Sequence, residues 1–311
     1  MTKKKLALLV MSFGTARSLD GIEDYYTRIR QGRKPSAELL EELTGRFKQI
    51  GLSPLNEITQ AQGEELVRQL NGAQEEIEFK LYVGFQYVAP FIGDVVRELY
   101  ADGFRELVAV AMAPHYSRFS VETYHDRVWE AAADLPGLTI TAVKQWWKEP
   151  EFAEFWAENI KRELVTIPVA EQERAVVILS AHSLPEKLMA IEDTYKRQVS
   201  ESADQIIKAA AGPEHYAKAW QSEGKDASSE NKWLGPDVQD LTRELYAAKG
   251  YRHFIYCPIG FVAEHLEVFY DNDYECRVVC DELGVIYHRP PMPNADPLFM
   301  QAVTNAVLKQ R

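Results

Sequence analysis

Eight short apolar runs, each closed by turn or polar residues and separated by stretches long enough for a helix, govern this 311-residue chain. Leu6–Met11, Phe79–Gly84, Leu107–Met112 and Leu138–Val143 fall in the first half; Ala175–Ser180, Tyr216–Trp220, His253–Cys257 and Gly284–His288 fall in the second. Runs of this length without alternation fit strands buried on both faces, the mark of a parallel sheet covered by helices. The halves also correspond in order. Leu8–Gly14 matches Val177–Ser183, and Met112-Ala113-Pro114-His115 before Ser120–Tyr124 echoes Cys257-Pro258-Ile259-Gly260 before His265–Phe269. The pattern predicts an α/β protein of two similar doubly wound, Rossmann-like domains, each with a four-stranded parallel sheet, facing a central cleft. The expected division is residues 1–150 and 151–289, with a C-terminal helix in 290–311 packing back on the first domain.

Local signals agree. Leu234-Gly235-Pro236-Asp237 ahead of Val238, Leu241 and Leu245 reads as a helix start with proline in its first turn. Phe299, Val303, Val307 and Leu308 recur at helical spacing near the C-terminus, and the polar stretch Glu223–Lys232 reads as an exposed connector. Lys3-Lys4-Lys5 before Leu6–Met11 superficially resembles a secretory signal, but Gly14-Thr15 closes the run as a strand end closes. No apolar run reaches the ~18 residues of a membrane span.

Composition narrows the partners. A formal net charge of -12 argues against nucleic acid, which demands a concentrated basic surface. Between Arg28 and Lys48, however, six basic residues (Arg28, Arg30, Arg33, Lys34, Arg46, Lys48) stand against three acidic ones, a patch where an anionic small molecule could dock. A decorated surface loop would look the same. Three cysteines (Cys257, Cys276, Cys280) form no CxxC and are too few for a Cys₄ iron-sulfur cluster, so none is expected. A reducing cytoplasm fits that usage.

Two segments carry chemistry. In Glu264–Glu275, Glu267, Asp271 and Glu275 recur every fourth residue with no lysine between Cys257 and Arg277, so a helix would stack like charges into one stripe. A cation is one natural partner for such a stripe; a solvated acidic face is the other reading. In Ser180–Lys187, His182 directly follows a buried strand and stands where cleft residues originate in parallel sheets. Its imidazole can offer a neutral lone pair near physiological pH, for a metal or a proton.

Leu9–Thr15, Ser180–Pro185, Trp220–Gly224, Trp233–Pro236 and Glu264–Glu267 together resemble the ferrochelatases, in particular their soluble bacterial coproporphyrin III type, over essentially the whole chain. The resemblance implies a chelatase-type fold and a lyase that inserts ferrous iron into a porphyrin to give coproheme in haem biosynthesis. It places the catalytic histidine at His182 and the key glutamate at Glu267. Asp271 and Glu275 become the outer metal ladder, associated with a second hydrated divalent ion such as Mg²⁺ and lying near Arg46 in the family. Phe13, Arg30, Arg46, Phe47, Ser53 and Tyr124 become the porphyrin site. Fe²⁺ is then substrate, with no tightly bound cofactor. The implied partners are a transient iron donor and a downstream coproheme decarboxylase, and a monomer is expected.

Four positions depart from that pattern. Phe13 stands where many relatives carry tyrosine, so a phenolate cannot ligate product iron and His182, water or no protein ligand remains. Gln86-Tyr87 replaces a lysine–histidine pair, and Gln31 replaces a second arginine after Arg30. A protoporphyrin IX chelatase, a cobalt chelatase and a porphyrin-binding protein without turnover are the alternatives.

Overall fold

A computed structural model describes residues 3–189, 194–224 and 232–310. All eight apolar runs are strands: β1 (Lys4–Ser12), β2 (Ile77–Phe85), β3 (Glu106–Ala111), β4 (Thr139–Val143), β5 (Ala175–His182), β6 (Tyr216–Gln221), β7 (His253–Cys257) and β8 (Ile286–His288). They form two sheets ordered β2-β1-β3-β4 and β6-β5-β7-β8, parallel throughout. The same order in both halves bears out the internal repeat read from sequence. In each sheet the chain steps outward from the central strand to one side, then returns to the other, which opens a switch point at the carboxyl ends of β1/β3 and of β5/β7.

By contact, the chain divides into two compact units, Met1–Glu149 with Ala263–Leu266 and Pro293–Arg311, and Pro150–Val262 with Glu267–Met292. The core of the first is β1, whose Ala7–Met11 are all 0% exposed, packed against Val95, Val96, Leu99, Val121 and Val128 from two covering helices. The C-terminal helix Pro297–Lys309 begins on proline, is capped by Asp296, and lies against the helix Leu55–Ala73, where Thr304 Oγ1 donates to Gln69 Oε1 at 2.8 Å. In the second unit, Val176 and Ile178 of β5 pack with Phe254 and Tyr256 of β7 against Val238, Cys276 and Cys280. All three cysteines are buried free thiols.

The helix expected after Gly235 runs Val238–Lys249, with Pro236 outside it rather than in its first turn. Asp237 is the cap: its carboxylate accepts from Gln239 N at 2.8 Å and Asp240 N at 3.2 Å, satisfying amides that proline would have left unused. Of the expected connector Glu223–Lys232, residues 225–231 lie outside the described residues. Among the described residues no helix is long and apolar enough to cross a membrane.

His115, after β3, is 2% exposed and stacks on Trp147 with ring centroids 6.3 Å apart. Burial pushes its pKa down to about 3. Above pH ~6.5 neither folded nor unfolded His115 carries the proton; below it the unfolded chain binds one that the native chain refuses, so stability falls as pH falls. At pH 5 the loss is about 2 kcal/mol. Urea unfolding at pH 7.5 and pH 5 should therefore show a shallower pH dependence in His115→Gln than in the parent; equal slopes would remove His115 as the source.

Candidate metal and porphyrin site

The second unit assembles His182, Ser222, Glu267 and Asp271 at the carboxyl ends of its strands. His182 is the last residue of β5, its main chain paired with Gln221 of β6. The loop leaving β7 crosses directly behind: Gly260 N donates to Ser180 O at 3.1 Å, and a Cβ at Gly260 would lie 2.8 Å from Ala181 Cα. Glycine is required there by close approach. The His182 ring meets Phe261 edge-on at 6.4 Å.

One hydrogen bond sets the tautomer. Nδ1 lies 2.5 Å from Ser183 O, and a carbonyl only accepts, so Nδ1 carries the proton and the neutral ring keeps its lone pair on Nε2. Nε2 is 3.8 Å from Glu267 Oε2, both side chains being about one-third exposed. The acceptor nitrogen thus faces the carboxylate and solvent together.

The acidic segment is helical, as its spacing implied, but wound as a π-helix over Val268–Cys276 with Glu267 at its amino end. Its i→i+5 bonding places positions four apart just short of one turn, where an α-helix would carry them just past it, so Glu267, Asp271 and Glu275 keep one side. Two side chains anchor the three rungs. The Ser222 hydroxyl donates to Asp271 Oδ2 in a short bond and lies 3.4 Å from Glu267 Oε2; Gln239 Nε2 donates to Glu275 Oε2 at 3.0 Å. Asp273, turned elsewhere, takes a bidentate bond from Arg289 at 2.6 and 2.8 Å and another from Tyr287 at 2.8 Å. Among the described residues, no group of three or more His, Cys, Asp or Glu side chains converges closely enough to hold a metal ion.

Ser222, inside the Trp220–Gly224 motif, takes a part in the site that its spacing alone does not indicate. Its φ of 61° is left-handed, a conformation costing a non-glycine residue roughly 1–2 kcal/mol. That backbone turn delivers its hydroxyl to two rungs of the ladder, and a serine directly after a strand was the available signal.

The first unit carries the residues matched to a porphyrin site. Phe13 follows β1, 38% exposed, its ring 4.5 Å from Tyr87 and 6.4 Å from Tyr25. Gly14, at φ 79°, makes the turn behind it, and a Cβ there would strike Val88 at 2.6 Å. Arg30 closes the helix Ile22–Ile29; its guanidinium lies over Tyr26 at 5.7 Å, and its buried Nε has no hydrogen-bond partner among the described residues. Arg46, on the helix Ala37–Ile50, pairs with Glu42 at 3.4 Å. Ser53 is 6% exposed, and its buried Oγ has no hydrogen-bond partner among the described residues.

Phe47 departs from the expectation that it lines the porphyrin. It is 1% exposed and packs with Ala16, Ile22, Tyr25, Phe85 and Val88, because one residue along a helix turns the side chain by roughly 100°, from the face of Arg46 into the core. Tyr124, 8% exposed, is likewise mostly absorbed in packing against the first sheet.

A family model described as Ferrochelatase matches residues 5–311. The coproporphyrin III ferrochelatase of Listeria innocua serovar 6a is 53% identical over 305 residues, 98% of this chain and 97% of its own. That of Bacillus subtilis strain 168 is 50% identical over 311 residues, 100% of this chain and 99% of its own. Among solved structures, the sirohydrochlorin chelatase SirB from Bacillus subtilis subspecies spizizenii in complex with cobalt aligns with a TM-score of 0.59 at 11% identity, covering 98% of this chain and 95% of that one, a likeness of fold alone. With the family model spanning both sheets, the carboxylate ladder and the strand-end histidine, the chain belongs to the ferrochelatase family.

Proposed function

We propose that the protein inserts Fe²⁺ into coproporphyrin III to give coproheme and two protons, with metal and porphyrin both as substrates. Curated relatives of that name at about half identity over full length support the substrate. The observation that carries the mechanism is the pairing of His182 Nε2 with Glu267 Oε2 at 3.8 Å. Zinc, a divalent first-row ion, takes such ligands at roughly 2.0–2.2 Å, so these two side chains would hold an incoming cation with little movement of either.

Metallation must remove two pyrrole protons while a dication enters. The single lone pair on Nε2 of His182 would accept one pyrrole proton at a time once it no longer holds the metal, and pass it to solvent before taking the second, its ring orientation held by Ser183 O. Glu267 takes the metal from Asp271 and Glu275, whose oxygens suit a hard, hydrated cation and exchange its waters stepwise. Glu275, the outermost rung, would hold a second hydrated divalent ion such as Mg²⁺ through its carboxylate and the ion's own waters. Arg30 and Arg46 bind propionates through guanidinium forks, Ser53 donates to one, and Phe13 gives the ring an apolar face. Phe47 and Tyr124 act from beneath, holding those elements in place. The product keeps its four propionates, so a decarboxylating enzyme is its natural consumer, as an iron donor is the natural supplier.

Anaerobic incubation with Fe²⁺ and coproporphyrin III should abolish the free-base absorption bands, faster than with protoporphyrin IX. Saturable fluorescence quenching with the free-base bands intact would instead identify a binding protein without turnover.

A further inference from the structure

A chain of buried amides and one hydroxyl joins the strand that carries His182 to the helix that carries the carboxylates. Ser180 Oγ, two residues before His182 on β5, donates to Gln221 Oε1 at 2.7 Å; Gln221 Nε2, on β6, donates to Asn272 Oδ1 at 3.0 Å. Ser180, Gln221 and Asn272 are 0%, 1% and 0% exposed. Asn272 lies in the π-helix, directly after Asp271, and its Nδ2 is buried without a partner among the described residues. Buried polar groups are costly unless paired. An apolar trio would pack the same space without that cost, yet would accept many small displacements of the helix.

We infer that Gln221 and Asn272 are positioning residues for metal insertion: they lock the π-helix in one register on β5 and β6, and so fix the separation of His182 and Glu267. A hydrogen bond holds only within a few tenths of an ångström and a narrow angle, whereas apolar contact slides. With Asn272 bonded through one end of its amide alone, the lock holds the helix at a single point. The anchor sits among the rungs themselves. Neither residue touches metal or porphyrin; both act through the ladder. The inference rests on the proposed function for its catalytic meaning, but the lock itself can be tested without turnover.

The test compares the parent with Gln221→Met, Asn272→Leu and the milder Ser180→Ala, which leaves the Gln221–Asn272 bond in place. The expected result for Gln221→Met and Asn272→Leu is a fall of about 10- to 100-fold in kcat and in kcat/KM for Fe²⁺, since small misplacements at a reacting centre act on that scale. Coproporphyrin III affinity, from fluorescence quenching, should stay within about twofold. Amide exchange over Val268–Cys276 should quicken about tenfold in both, and less in Ser180→Ala. Unchanged exchange would overturn the lock even if the parent proved to have no chelatase activity, an outcome that would sink the proposed function separately. Unchanged turnover, or porphyrin affinity falling in step with turnover, would reduce the pair to ordinary packing. If either apolar variant fails to fold, Asn272→Ala, which removes the acceptor of Gln221 Nε2 without adding bulk, decides: parental kcat together with parental exchange overturns the inference.

Discussion

Replacing His182 by alanine is expected to lower iron insertion by ~10²–10⁴-fold, the usual worth of a positioned general base, while leaving porphyrin binding near parental. The ring is about one-third exposed and packs edge-on against Phe261, so its loss removes little buried area and the fold should survive. Glu267→Gln is the sharper companion. It keeps the side-chain volume and can still accept from Ser222, but removes the charge that faces His182 at 3.8 Å and heads the ladder. A fall of similar size is expected, with a raised KM for Fe²⁺, because a neutral amide is a poor ligand for a hard dication. Stopped-flow absorption with coproporphyrin III and Fe²⁺ under anaerobic conditions measures both. Parental rates in either variant would remove that residue from the mechanism.

Arg30→Ala is expected to weaken coproporphyrin III by roughly 10- to 100-fold, the range of a charge-assisted hydrogen bond worth about 1.5–3 kcal/mol. Its buried Nε has no partner among the described residues, so in the free protein a strong donor already bears a desolvation cost that an incoming carboxylate would relieve. The Tyr26 ring beneath the guanidinium limits how far it can swing. Gln31 offers no second charge beside it, which makes Arg30 harder to replace. Protoporphyrin IX, with two propionates rather than four, should lose less. Fluorescence titration with each porphyrin gives the comparison: equal losses would assign Arg30 to a group both porphyrins share, and no loss with either would place it outside the propionate site.

The inner strands β1, β3, β5 and β7 were legible because residues buried on both faces leave continuous apolar runs, and the edge strands β2, β4, β6 and β8, partly exposed, left shorter or mixed runs that still fell in the right places. Their order within each sheet was legible only indirectly, through the match of Leu8–Gly14 to Val177–Ser183, which proved to be the two central strands. The carboxylate ladder was legible as a spacing but not as a winding, since residues four apart share a side in both α- and π-helices. The contacts of Ser222, Gln221 and Asn272 were not, because their partners lie 41 to 51 positions away along the chain; the motif Trp220–Gly224 and a serine directly after a strand draw the eye, but neither names the partner. Phe47 failed for the opposite reason. It sits beside Arg46 in sequence, yet neighbours on a helix face different surroundings, and an aromatic side chain there follows the apolar interior.

The winding of Val268–Cys276 has a consequence for how this surface could arise and be altered. A stretch of wide turns is equivalent to slipping an extra residue into an ordinary helix, so its side-chain directions depend on length as well as identity. Deleting a single residue there would let the segment rewind as an ordinary helix, but two rungs would then stand three positions apart rather than four, and the acidic file would be broken though no carboxylate had been changed. Spacing, as much as charge, is what evolution must preserve in this segment.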